Sequence, residues 1–294
     1  MNLKSTPGSA YVLSRLAELF DGMPTELRKA ARYVSENPSD VAFRSMRSAA
    51  GAAQVSPATM VRLTRALGLN RYDELRAAFQ AELDRRPPSF LARARELRAQ
   101  SKSRWTNAVH QAIDAELASL HECVSHLSDE ALEQIASLFV TARLIYVIGF
   151  RGMYPAAFTF HYATNMFSER VVLVDGAGGT YIDALRGIGT SDVALVFTCR
   201  PYPRVVATLL KFSKERGAKL VSVTDGPFSP AARSADILLT VNPTASSLPS
   251  SSSANVLVAR VLASLFLAAS GRTSVDAIRN TDEHLAAFRI YTDD

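Results

Sequence analysis

Five short runs of β-branched and other apolar residues recur along the second half of this 294-residue chain, at 144–148, 171–174, 193–197, 219–223 and 236–240. Each is followed by a stretch long enough for a helix. Short runs that stay apolar, rather than alternating with polar residues, belong to strands buried on both faces, and parallel strands joined by crossover helices are buried in that way. The pattern predicts a doubly wound α/β domain. In such a sheet ligands sit beyond the carboxyl ends of the strands, which draws attention to the loops at 149–153, 175–180, 198–204 and 225–230.

The first part of the chain obeys a different period. From residue 10 to about Leu83, apolar stripes with helical spacing are separated by Asp21-Gly22-Met23-Pro24, Asn37-Pro38-Ser39-Asp40 and Gly68-Leu69-Asn70, which is turn and cap chemistry. This predicts an all-α domain over 10–85. Arg85-Arg86-Pro87-Pro88-Ser89 ends it, because consecutive prolines cannot continue a helix interior. Residues 86–127 read as a linker and connecting helices, and 128–280 as the α/β domain.

Within the helical part, Ala49, Ala50 and Ala53 are small enough to let two helices approach, and Val55 can fill the space between them. Ser56 is a good N-cap, and Pro57 suits the first helical position. Two helices joined by so tight a turn predict a helix-turn-helix, whose second member lies in the major groove of duplex DNA. On that helix Met60, Leu63 and Leu67 are expected to pack, while Ser56, Thr59, Arg62 and Arg65 face outward. Pro57, Arg47, Arg71 and Tyr72 complete the candidate DNA-binding set. Charge supports the same end of the molecule: residues 1–110 hold 18 Lys and Arg against 10 Asp and Glu, whereas 111–294 hold 15 against 18. A basic excess confined to one end fits a polyanionic partner, although a solvated arginine-rich surface gives the same count.

The Asn37-Pro38 turn, the small-residue helix, Val55-Ser56-Pro57-Ala58-Thr59, Arg62, Arg65-Ala66-Leu67-Gly68-Leu69 and Tyr72-Asp73-Glu74-Leu75-Arg76 together resemble the N-terminal domain of the RpiR/MurR family of transcription regulators. That family couples this domain to a sugar isomerase (SIS) domain, and the order and lengths found here agree from about residue 11 to 270. The resemblance implies an α/β chain in which an all-α helix-turn-helix domain precedes a doubly wound, parallel-sheet SIS domain. It also implies a double-stranded DNA operator as partner, an anionic small-molecule effector such as a phosphorylated sugar or sugar acid, and a homodimer or tetramer. Two-fold symmetry then predicts operator half-sites about 34 Å apart or a multiple of that.

Family SIS domains hold phosphate with a turn rich in Ser and Thr. Here the corresponding turn reads Thr198-Cys199-Arg200-Pro201-Tyr202-Pro203-Arg204, so Thr198 alone keeps a hydroxyl in place. Arg200 and Arg204 have the geometry to bind a carboxylate or phosphate, and Gly149-Phe150-Arg151-Gly152 adds a third arginine at a neighbouring strand end. The candidate ligand set is therefore Gly149, Arg151, Gly152, Thr198, Arg200, Tyr202, Arg204 and Ser247. Ion pairs to Asp175, Asp183 or Asp225 are the competing use of these arginines, and an interface role is the competing use of the turn.

Cys123 and Cys199 lie far apart, and the five histidines have no metal-ligand spacing, so the sequence implies neither a metal nor a cofactor. Arginines near Cys199 leave a reactive thiol as a minor reading. No nucleophile elbow or acid/base pair marks an enzyme. A sugar-phosphate isomerase with a helical appendage, and a regulator whose SIS domain only oligomerises, are the alternatives. No export signal or membrane span is evident, which predicts a cytoplasmic protein with no membrane partner. The nearly all-apolar stretch 256–269 must be buried in the core or against a second copy.

Overall fold

The computed structural model describes residues 8–84, 89–100, 105–125, 127–226, 229–241 and 251–291. The chain divides into two compact units, 1–87 and 88–294. The proline segment expected as the boundary, 85–88, lies outside the described residues.

Among the described residues, six α-helices build the first unit: α1 (Ser9–Leu19), α2 (Thr25–Glu36), α3 (Pro38–Phe43), α4 (Met46–Ala52), α5 (Pro57–Ala66) and α6 (Tyr72–Asp84). Their starts follow from the sequence. Pro38 and Pro57 occupy first-turn positions where no amide hydrogen bond is lost, and Ser45 and Ser56 accept from the Ser48 and Thr59 amides. Val34, Val41, Ala49, Ala50, Met60, Leu63, Leu67, Leu75 and Phe79 are buried between the helices. Alanine at 49 and 50 leaves α5 room to lie against α4.

In the second unit α7 (Phe90–Gln100), α8 (Trp105–Ser125) and α9 (Asp129–Thr141) precede the sheet. There follow β1 (Ile145–Gly149), α10 (Tyr154–Asn165), β2 (Val171–Val174), α11 (Tyr181–Ala184), β3 (Val193–Thr198), α12 (Arg204–Glu215), β4 (Lys219–Thr224), α13 (Pro230–Ser234), β5 (Ile237–Thr240), α14 (Ser253–Ala269) and α15 (Arg272–Ala287). The strands lie in the order β2-β1-β3-β4-β5, all parallel, with Ile145 opposite both Val171 and Val193. β1 and β3 are buried along their whole lengths, which is why their sequences do not alternate.

One face of the sheet is covered by α8, α9, α10 and α14, where Phe139 meets Phe160 and Phe266 edge-on at 5.5 and 5.7 Å. The other is covered by α12 and α13 through Val206, Leu209, Leu210 and Ala231. α14 contributes Val258, Leu262 and Phe266 to the first layer, so its apolar sequence is explained by the core. α8, expected as a connector, also packs there through Cys123. Among the described residues no single helix is long and apolar enough to cross a membrane.

Candidate functional site

The turn between α4 and α5 is closed by backbone bonds. Gln54 takes a left-handed conformation (φ 53°), its amide donates to Gly51 O (3.1 Å), and the Val55 amide reaches back to Ala50 O (3.0 Å). This pairing satisfies the last carbonyls of α4 and turns the chain sharply into Ser56. Ser56 Oγ accepts from the Thr59 amide (3.1 Å) and lies 3.0 Å from Thr59 Oγ1, which in turn accepts from Arg62 Nη2 at 3.4 Å.

Arg47, Ser56, Pro57, Arg62, Arg65 and Arg71 are exposed, as anticipated. None of the four arginines pairs with a carboxylate among the described residues, whereas Arg44 and Arg76 are taken up by Asp40 and Asp73. Two candidates do not face outward. Thr59 is only 3% exposed and sits on the packed side with Leu63, one helical turn away, so it positions Arg62 and does not reach a duplex itself. Tyr72 is 7% exposed, with its hydroxyl 3.5 Å from the Val41 carbonyl, and burial pushes its pKa up to about 12. It belongs to the core.

In the second unit, the chain leaves β1 toward β2 on one side and returns to β3 on the other, which makes the β1/β3 ends the topological switch point. A cleft of about 490 Å³ opens there. Arg151, Gly152, Cys199, Arg200 and Ser252 line it together with Phe90, Phe150, Met153, Pro155, Pro201 and Pro203. Arg151 holds a left-handed backbone (φ 55°), a costly conformation for a residue with a side chain, and no carboxylate pairs with it among the described residues.

Asp225 organises the neighbouring turn. It accepts from the Arg200 amide (3.2 Å) and from the Tyr202 hydroxyl (2.6 Å), while Arg200 Nε donates to that hydroxyl (3.3 Å) and lies 3.9 Å from the carboxylate. Burial, reinforced by the Asp225 charge, drives the Tyr202 pKa far above its usual value. Arg200 therefore lines the cleft with its charge already balanced, and Tyr202 is spent on the turn instead of reaching a ligand.

Three other candidates fall outside the cleft lining. Arg204 is exposed at the start of α12. Thr198 is 2% exposed, its Oγ1 buried without a hydrogen-bond partner among the described residues. Gly149 is a packing residue, since a Cβ there would stand 2.7 Å from both Ala157 Cβ and the Met153 carbonyl. Ser247 lies outside the described residues. The thiol of Cys199 is pushed well above its ordinary pKa by burial and by Asp225, with Asn255 3.8 to 3.9 Å away, which removes the reactive-thiol reading. The apolar lining went unnoticed in the sequence. Phe150, Met153, Pro155, Pro201 and Pro203 adjoin residues already singled out, but Phe90 comes from a stretch read as connector, and nothing local marks it.

A family model described as the rpiR-family helix-turn-helix domain matches residues 11–86, and a SIS domain model matches 138–269. The chain thus joins an rpiR-family helix-turn-helix domain to a SIS domain. An HTH-type transcriptional regulator of Haemophilus influenzae is 25% identical over 237 residues, spanning 79% of this chain and 80% of that protein. One from Caldanaerobacter subterraneus subsp. tengcongensis is 25% identical over 236 residues, with the same coverage. Among solved structures, the sugar isomerase domain of an RpiR transcription factor from Sphaerobacter thermophilus superposes with a TM-score of 0.55 at 21% identity, covering 59% of this chain and 97% of that one. The NanR protein of Vibrio vulnificus, solved with ManNAc-6P, gives 0.53 at 19% identity, covering 95% and 100%. These two likenesses concern the fold.

Proposed function

We propose that this chain is an RpiR-family, sequence-specific DNA-binding regulator of metabolism, with α5 as its reading helix and the cleft at the β1/β3 ends as the seat of a controlling anionic effector. The observation that carries the reading is the outward set Arg47, Arg62, Arg65 and Arg71 around a capped, tightly turned helix pair, free of carboxylate partners among the described residues. Unbalanced arginines on such a helix are suited to phosphates and to guanine edges. Arg151 supports the effector role of the cleft, and NanR, which shares the fold, was solved with a sugar phosphate. The described residues lining the cleft offer no carboxylate or histidine to act as acid or base, which favours sensing over turnover.

Reading a palindromic operator takes two copies. α10 carries no Lys, Arg, Asp or Glu and exposes Tyr154, Phe158 and Tyr162, four residues apart, with rings stacked at 5.9 and 6.2 Å. Tyr, Phe, Tyr reads the same in both directions, so a two-fold axis through Phe158 lays this stripe antiparallel on that of a second copy. We assign the homodimer contact to this face.

The test is genome-wide mapping of bound DNA, followed by fluorescence anisotropy on the recovered duplexes. Recurrent palindromic sites, bound with a steep salt dependence, are the expected result. Failure to retain any duplex at modest salt would overturn the reading.

A further inference from the structure

The described lining of the cleft is chemically lopsided. Its side chains include six apolar ones, Phe90, Phe150, Met153, Pro155, Pro201 and Pro203, and one hydroxyl, Ser252. Phe150 is fixed edge-on against Tyr181 at 5.8 Å, so its ring is a standing wall of the cleft. Two arginines are present, but Arg200 is matched by Asp225 and Tyr202, which leaves Arg151 as the cation whose charge no described carboxylate balances. Cys199 contributes a neutral thiol. No described lining side chain is a carboxylate or an amide, the groups that accept and donate to a row of sugar hydroxyls.

A polyol entering such a space would give up water at every hydroxyl while the described side chains offer it few partners, Ser252 and the arginines, and a buried polar group left unpaired is costly. An apolar body loses nothing and gains contact with the phenylalanine and proline walls. We propose that the effector is a small carboxylate or phosphate with an apolar, ring-sized body: its anionic head meets Arg151 and its body fills the Phe90–Phe150–Pro201 side of the cleft. This rests on the effector reading of the cleft given above, and it departs from the sugar phosphate carried by NanR.

The experiment uses the full-length protein and two pairs of probes matched in head group: benzyl phosphate against glucose 6-phosphate, and phenylacetate against gluconate. Calorimetric titration and thermal shift are read for the native chain, for Arg151→Asn and for Phe150→Ala. Asparagine tolerates the left-handed backbone at 151, so lost binding there reports the lost charge. In each pair the aromatic member should bind at least tenfold tighter. Arg151→Asn should weaken both aromatic probes at least tenfold, and Phe150→Ala should bring the aromatic affinities down toward those of the polyol members. Equal or tighter binding of the polyol members would overturn the apolar-body proposal and leave the anion site standing. Binding of none of the four probes would overturn both.

Discussion

In the proposed reading Arg62 meets the duplex from a prepared position, because Ser56 and Thr59 form a short hydroxyl chain that ends on its guanidinium. Replacing Arg62 by Ala removes the charged group and leaves the Ser56 and Thr59 hydroxyls paired with each other. Operator affinity should fall by about 1–3 kcal/mol if the arginine reads a base, with the melting temperature unchanged. Anisotropy at fixed salt checks this, and unaltered affinity would remove Arg62 from the reading set. Glycine gives a second contrast at this scale. An Ala at 149 would push a methyl into Ala157 and the Met153 carbonyl, whereas an Ala at 152 would meet nothing within 4 Å. Gly149→Ala should cost about 1–3 kcal/mol of stability by overpacking, and Gly152→Ala should melt close to the native protein. The side of α5 on which Thr59 lies was available from spacing alone: Thr59, Leu63 and Leu67 fall at i, i+4 and i+8, which makes them one stripe. Its hydroxyl made it look like a surface residue.

The turn joining α4 to α5 works with a glutamine where a glycine is easier. Gln54 holds φ 53° and keeps both backbone bonds that close α4. An L-residue in that region costs about 1–2 kcal/mol, so Gln54→Gly should raise the unfolding free energy by about 1 kcal/mol, a gain visible as a higher denaturant midpoint. A lower midpoint would mean that the glutamine side chain makes a compensating contact. The turn could be anticipated because Ser56-Pro57 marks a helix start whatever happens elsewhere in the chain. The strands were legible for the same reason, and each begins or ends within one residue of its apolar run, as at Ile145–Gly149 and Val193–Thr198. Of the strand-end loops singled out in the sequence, 149–153 and 198–204 do line the cleft, but their charge pairing was not legible. Arg200 meets Asp225 across 25 positions of sequence, and only the β3/β4 pairing, with Thr198 opposite Thr224, brings them together. Local pattern contains no term for such a contact, which is why three arginines read as convergent and the structure leaves one of them, Arg151, unbalanced in the cleft.

A two-fold assembly puts the heaviest demand on α10. Its aromatic stripe is uncharged and self-complementary in order, and in the proposed homodimer a glutamate at its centre would face its own copy across the axis. Like charges brought together and stripped of water repel strongly, while the same side chain on a separate copy would stay hydrated, because position 158 is 44% exposed. Phe158→Glu should therefore leave the melting curve of a dilute sample nearly unchanged and shift the mass in sedimentation from two copies to one. Operator binding then separates the contributions. A single copy would keep the contacts proposed for Arg62 and Arg65 at one half-site, but lose the effective concentration that tethering supplies to the second, a factor of about 10² or more. Affinity for the full palindrome should fall to that for an isolated half-site, and the half-site affinity itself should not move. A variant that remained two copies in solution would place the contact on another face of the second unit, whereas a native chain that sedimented as one copy would deny the two-fold arrangement altogether.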